Sequence, residues 1–131
     1  MDRETIPNPP GAPERIKGMV PGVRANGFIF LSAIRGRDPE TNTLSDDTTT
    51  QARQAFENLK VILEGSGSSL QHVVKVMLYL SDLKYRKEFH DVWLEYFPTD
   101  PPARTAVEVS DASPAPGGNA HFALDIVALA G

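Results

Sequence analysis

The sequence predicts an α+β protein in which two helices cover one face of a mixed β-sheet. Two amphipathic helical stretches are interspersed with strand-like segments in the order β, α, β, α, β, β. Each helical stretch has one apolar stripe, and the strands alternate apolar with polar residues, so every element has one face to bury. The chain has 131 residues, which suits a single domain with one core.

The N-terminal part divides into an arm and the start of the domain. Residues 1–15 are rich in proline and polar groups, and we expect them to form an extended arm ahead of a single domain at 16–131. A short first strand is expected near residues 16–20. Aromatic and β-branched residues then predict a strand at 27–34.

A polar loop at 35–45 leads to the first helix, which we expect to begin near residues 46–48. Thr48 and Gln51 match a capping box. The helix carries one apolar stripe, formed by Ala52, Ala55, Phe56, Leu59, Ile62 and Leu63. Two glycines, Gly65 and Gly67, end it.

The second half repeats the strand–helix order. Residues 73–80 predict a strand, and the next residues, Ser81 and Asp82, offer a helix start. The second helix carries a stripe of Phe89, Val92, Trp93 and Tyr96, and Pro98 stops it. Two further strands are predicted at 104–109 and 121–129.

The last two strands suggest which residues share a face. Alternation places Arg104 and Ala106 on one face of their strand, and His121 and Ala123 together on one face of theirs. We expect the helices to cover the apolar faces, which would put Arg104 on the opposite side of the sheet. That mixed face is then too polar for a core and too apolar for bulk water, which favours a subunit interface or a pocket.

Composition excludes several classes of protein. The net charge is −4, so no basic field attracts nucleic acid or an anionic membrane. The chain has no cysteine, which excludes disulfides, thiolate nucleophiles and Cys-type metal sites. No signal peptide or membrane-spanning run is visible, and no His/Asp cluster has metal-ligand spacing. We expect a cytoplasmic protein.

Several short motifs resemble those of the reactive-intermediate (imine/enamine) deaminase family, also called Rid or YjgF-like. They lie at 27–32, 51–60, 63–70, 73–76, 79–83, 95–98 and 102–105. The resemblance runs from about residue 16 to the end of the chain. It implies a chorismate-mutase-like fold and a homotrimer whose sheets face inward, with pockets at the subunit interfaces.

The resemblance also implies roles for particular residues. Taken alone, Arg104 fits a surface ion pair as well as a ligand anchor. In the family, the arginine of the Pro-x-Arg-Thr motif binds the substrate carboxylate, and Arg104 matches it in 102–105. A guanidinium suits this role because its planar fork binds a carboxylate bidentately. Ser32 matches a serine that lines the family pocket. The implied reaction hydrolyses 2-imino or 2-enamino acids to 2-keto acids and ammonia without cofactor or metal.

The chain departs from the family pattern at several pocket positions. Ala123 stands where a glutamate typically holds the attacking water, and Ala106 stands where a cysteine is frequent. Met19 replaces a common tyrosine, and His90 replaces a common asparagine. His90 and His121 are therefore candidates for proton transfer, although each also fits a structural role.

Three functions follow in order of support. The first is hydrolysis of a carboxylate-bearing imine or enamine, with a bulkier substrate because Ala123 leaves room, or a different reaction on a similar acid. The second is a non-catalytic trimer that binds small acids for regulation. The third is RNA cleavage, an activity attributed to some members of the family, which the net charge of −4 disfavours.

Overall fold

The computed structural model describes residues 2–112 and 119–131. The strands are Arg3–Ile6 (β1), Gly22–Ala25 (β2), Phe28–Ile34 (β3), Val73–Leu80 (β4), Ala103–Glu108 (β5) and Phe122–Leu129 (β6). The helices are Thr48–Gly65 (α1) and Arg86–Tyr96 (α2). One sheet contains all six strands in the order β1-β2-β3-β6-β4-β5. Neighbouring strands are antiparallel except β4 and β5, which are parallel. The predicted mixed α+β sheet is confirmed.

The core lies between the sheet and the two helices. Every residue of the predicted α1 stripe is buried, as are Phe89, Val92 and Trp93 of α2. Phe56 of α1 joins the helices, because its ring centroid lies 5.6 Å from that of Phe89 and 4.8 Å from that of Tyr96. Such ring contacts add to the burial of apolar surface and hold α2 at a defined position on the sheet. None of the helices in the described ranges is long and apolar enough to cross a membrane.

The start of α1 differs from the predicted capping box by one residue. Asp47 is the N-cap, and its carboxylate accepts a hydrogen bond from the Thr50 backbone N–H at 2.9 Å. Aspartate and threonine both cap helices, so local pattern does not separate these neighbours. Gln51 is fully buried instead, and its side chain bonds the carbonyls of Ser45 and Asn119 and the backbone N–H of His121. This side chain joins the start of α1 to the segment that enters β6.

The N-terminal segment is part of the sheet. β1 pairs with β2 in antiparallel register from Arg3 opposite Ala25 to Ile6 opposite Gly22. No strand lies at 16–20, where the prediction of a short strand is wrong, and Gly18 there has a φ of 91° in a turn. The two paired segments lie just before the first proline and just after Pro21, where every backbone N–H is available for pairing.

The predicted orientation of Arg104 is also wrong. In the parallel pair β4–β5, Arg104 lies opposite Val76 and Ala106 lies opposite Leu78. Val76 and Leu78 are fully buried beneath the helices, so Arg104 and Ala106 face the helix layer. The predicted alternation of side chains along β5 is correct. The face of β5 that the helices leave uncovered is the apolar one, which carries Val107, 39% exposed. Ala123 lies opposite Tyr79 on the uncovered side of the sheet, so it does not share a face with Arg104.

Candidate functional site

Arg104 lies on the edge strand β5 and leans against α2. Its guanidinium carbon lies 4.6 Å from the ring centroid of Trp93 and 6.0 Å from that of Phe89. A cation over an aromatic face is stabilised by the ring quadrupole, most strongly over tryptophan. Trp93 is buried, as predicted for a core residue, and it also forms a flat support for the guanidinium.

The Arg104 guanidinium has unused hydrogen-bonding capacity. Its Nη1 is buried and has no hydrogen-bond partner within the described residues. Burial lowers the pKa of Arg104 from its ordinary value, and the nearby charge of Arg86 lowers it further. A buried donor without a partner costs free energy, and that cost is removed when a ligand oxygen accepts the bond. The site therefore favours an anion at Nη1.

His90 of α2 orients the same guanidinium. Its Nδ1 lies 3.0 Å from Nη2 of Arg104. A guanidinium has donors only, so Nη2 donates and Nδ1 accepts. Nδ1 therefore carries no proton in this arrangement, and the ring proton of the neutral imidazole is on Nε2. His90 holds Arg104 in place and offers an N–H donor of its own.

A cavity of about 350 Å³ surrounds these two side chains. We call it the Arg104 cavity, and its lining residues are Leu83, Lys84, Arg86, Lys87, His90 and Arg104. These lining residues include four cations and no carboxylate, and the carboxylate of Glu108 beside them accepts from the backbone N–H of Leu83 at 2.9 Å. Lys87 is paired with Asp91 at 3.1 Å, both largely exposed, and the charge of Arg86 acts on Arg104. The cavity can bind an acid, but its lining has no side chain that would act as a carboxylate base.

Two other predicted pocket residues lie elsewhere in the chain. Met19 is exposed and lines a separate cavity of about 540 Å³ beside the end of β3, which we call the β3 cavity. Ser32 is exposed at the β-bulge of β3, next to Ala33, which also lines the β3 cavity. β3 and β5 are separated by β6 and β4, so by three strand spacings, or about 14 Å. One chain does not bring Met19 and Ser32 together with Arg104.

His121 lies at the entrance to β6, away from the Arg104 cavity lining. It is 7% exposed, and its ring stacks on Tyr85 with centroids 3.8 Å apart. Its Nδ1 lies 2.6 Å from Oγ1 of Thr48 at the start of α1. Burial lowers the pKa of His121 from its ordinary value, which favours the neutral ring. These contacts give His121 a structural role, and proton transfer by this residue stays a prediction.

The two alanines that replace expected polar residues occupy different surroundings. Ala106 is half-buried and packs against the core on the helix side. Ala123 is 5% exposed on the other side of the sheet, and Asp125 two residues later accepts a hydrogen bond from the Tyr79 hydroxyl at 3.1 Å. That bond is the largest cause of the raised pKa of Tyr79.

Sequence reasoning missed several cations near these cavities. Arg86 and its lysine neighbours were passed over because charged residues on an exposed helix start are usually solvated. Arg35 and Arg37 were assigned to a polar loop, yet both line the β3 cavity. The spacing Arg-Gly-Arg was the available signal, since residues two apart project to the same side of an extended chain.

The chain is similar in sequence and in structure to several known proteins. The family model described as Endoribonuclease L-PSP matches residues 10–129. A RutC family protein of Pyrococcus horikoshii is 40% identical over 100 residues, which are 76% of this chain and 79% of that protein. Reactive Intermediate Deaminase A of Arabidopsis thaliana, chloroplastic, is 33% identical over 100 residues, covering 76% of this chain and 54% of that protein. The crystal structure of E. coli TdcF with bound serine superposes with a TM-score of 0.86 at 25% identity, covering 96% of this chain and 98% of that one.

Proposed function

Because the chain belongs to the Endoribonuclease L-PSP family, the Rid or YjgF-like proteins, we propose that it is a hydrolytic deaminase of carboxylate-bearing imines or enamines. The reaction adds water to a 2-imino or 2-enamino acid and releases a 2-keto acid and ammonia, without cofactor or metal. The deaminase name of the Arabidopsis relative and the serine bound by E. coli TdcF support this class of substrate.

The observation that carries the proposal is the state of Arg104. A guanidinium held by His90 and Trp93, with a buried and unpartnered Nη1, is preorganised for an oxyanion. A substrate carboxylate would accept from Nη1 and satisfy this donor. Desolvation around the guanidinium strengthens that contact compared with the same pair in water.

The proposed chemistry needs little from the protein beyond binding and orientation. An enamine first moves a proton from its nitrogen to its β-carbon and becomes an imine. Water then attacks the carbon of the C=N bond and gives a proton to the nitrogen, and the resulting carbinolamine collapses to the ketone as the C–N bond breaks and ammonia leaves. The Nε2–H of His90 can donate a hydrogen bond to the attacking water or to the imine nitrogen. Holding the acid beside a positioned water lowers the entropic cost of the attack.

We propose further that the complete pocket forms between copies of this chain in a homotrimer. Residues that the family resemblance assigns to one pocket lie on different strands and on both faces of the sheet, with β3 and β5 about 14 Å apart, and a second copy can unite them. The uncovered sheet face supports assembly, because Phe28 and Phe30 are 37% and 46% exposed there. Light scattering at micromolar concentration should report a mass three times that of the chain, and a monomer would refute the assembly.

The substrate is expected to be larger than the smallest 2-imino acids. Ala123 offers no carboxylate to hold water and leaves the volume that a glutamate would fill. We therefore propose an acid with a bulky, apolar substituent. The second candidate function, an acid-binding trimer without turnover, is favoured by one feature: the Arg104 cavity has no carboxylate in its lining.

One assay separates these two functions. An amino acid oxidase generates 2-imino acids in place from a panel of small, branched and aromatic amino acids, and semicarbazide trapping reports how fast the imine disappears. The deaminase proposal predicts faster loss of imine with the parent protein than with Arg104→Ala, most clearly for bulky substrates. Equal rates for parent, variant and buffer across the panel, together with retained acid binding, would establish the non-catalytic function instead.

A further inference from the structure

The β3 cavity has the composition of a binding site for an amphiphilic anion. Its walls include the apolar side chains of Ile16, Met19, Ile34 and Ile62. Three arginines, Arg15, Arg35 and Arg37, also line it. Its volume of about 540 Å³ lies within the range of small-molecule sites, which are mostly apolar with a few convergent polar groups.

Two of these arginines are held in place by the backbone between them. The side-chain amide of Asn58 on α1 donates to the carbonyl of Arg35 at 3.0 Å and to that of Arg37 at 2.8 Å. Gly36 between them is buried, and a Cβ there would overlap the backbone carbonyl of Gln51. The segment is therefore fixed against α1, and both arginines line the cavity. Fixing the backbone lowers the entropic cost of ordering them around a ligand.

Within the part of the chain that the structure describes, each guanidinium keeps unused donors. Arg15 donates from Nη1 to the carbonyl of Ser32 at 2.8 Å. Arg35 donates from Nε to the carbonyl of Ala112 at 2.6 Å, and Arg37 donates from Nη1 to the carbonyl of Asn42 at 2.8 Å. These bonds orient the three side chains and use only part of the five N–H donors of each guanidinium.

Among the residues that line the cavity, cations outnumber carboxylates. Burial lowers the pKa of Arg15, and the charge of Arg35 lowers it further. Burial and Arg37 lower the pKa of Arg35, while Asp111 and Asp125 raise it. Glu14 is the acidic residue in the lining, and the ion pairs within 4 Å between described residues do not include the three arginines. An anion would relieve this repulsion.

We propose that the β3 cavity binds an oxyanion carried on an apolar body, either a carboxylate or a phosphate monoester, through Arg15, Arg35 and Arg37. The arginines recognise the charged oxygens by bidentate hydrogen bonds, and the isoleucines and Met19 cover the apolar part. This site goes beyond the proposed deaminase reaction, whose anchor is Arg104. Only Met19 is shared with the pocket residues that the family resemblance implies.

The test measures binding, so that it does not depend on turnover. Calorimetric titrations of the intact protein use 3-phenylpropionate, phenyl phosphate and the uncharged 3-phenylpropanamide. Arg37→Gln removes one charge from the cluster, and Arg15→Gln is a second variant in case the first disturbs the loop. Arg3→Gln, an exposed arginine on β1, is the matched control, and Arg104→Gln reports binding at the other cavity. Thermal unfolding verifies that each variant is folded.

We expect at least one of the two anions to bind, and Arg37→Gln or Arg15→Gln to weaken it about tenfold or more. Arg3→Gln should change this affinity less than about twofold. Arg104→Gln should remove only binding at the Arg104 cavity and leave the binding that depends on Arg15 and Arg37. The stronger of the two anions identifies a carboxylate or a phosphate ligand. Amide binding as tight as the acid, no binding of either anion at about 10 mM, or a loss caused only by Arg104→Gln would each overturn the proposal.

Discussion

Replacing Arg104 with alanine should abolish most of the affinity for small 2-keto and 2-imino acids. Two charge-assisted hydrogen bonds from a guanidinium contribute about 1.5–3 kcal/mol each. Arg104 is half-buried, so solvent screening reduces the sum to about 2–4 kcal/mol. The expected loss of affinity is therefore about 30- to 700-fold.

The same substitution should have a small effect on folding. It removes the contact with Trp93, about 0.5–2 kcal/mol, and one hydrogen bond to His90, about 1 kcal/mol. It also removes the buried, unpartnered Nη1, and the free-energy penalty of burying this donor is about as large as the contacts that are lost. The free energy of unfolding should change by no more than about 1–2 kcal/mol, since these contributions oppose each other.

Calorimetric titration with pyruvate and 2-keto-4-phenylbutyrate, stable analogues of the proposed products, measures the effect on binding. Arg104→Lys should recover only part of the affinity, because an ammonium keeps the charge and lacks the fork. Arg86→Ala, which removes a neighbouring cation of the same cavity, is the matched control and should cost less than Arg104→Ala. If Arg104→Ala binds both keto acids as tightly as the parent does, the assignment of the carboxylate anchor is wrong.

Three further predictions concern the histidines and Ala123. His90→Leu should weaken keto-acid binding in the same titration. His90→Gln keeps a hydrogen-bond acceptor for Arg104 and should retain most of the affinity, and equal losses in the two variants would contradict the orienting role of His90. Ala123→Glu should raise the turnover of 2-iminopropionate about a hundredfold over the isosteric Ala123→Gln, and no difference would mean that the position does not reach the water. Burial depresses the pKa of His121, so its neutral ring stabilises the fold above about pH 6.5, and this stability is lost as the pH falls below that value. The free energy of unfolding of His121→Asn, measured with a chemical denaturant, should accordingly be lower than that of the parent at pH 8 and should change less between pH 7 and 5. The same change with pH in both proteins would contradict the lowered pKa of His121.

Local patterns predicted the secondary structure well where periodicity was strong. The α1 stripe is fully buried, and the predicted strands at 27–34, 73–80 and 121–129 agree with β3, β4 and β6 to within one residue at each end. These elements bury one face each, so the spacing of apolar residues carries enough information to locate them. The N-terminal strands escaped prediction because β1 is short and exposed, and its pairing partner β2 lies across a proline-rich segment.

For this protein, the sequence by itself determined the family and the α+β class, and it predicted Arg104 as the residue that binds an acid. Only the tertiary structure decided what surrounds that residue. The sequence of β5 shows which side chains share a face, but it does not show which of the two faces the helices cover. That is decided by the parallel register with β4, which sets Arg104 opposite the buried Val76. Two other contacts also join residues far apart in the chain: that of Arg104 with His90, and the hydrogen bonds from Asn58 to the backbone of Arg35 and Arg37. The structure likewise places Met19 in a different cavity from Arg104 and His90. Such contacts arise from packing between elements, which no local pattern records.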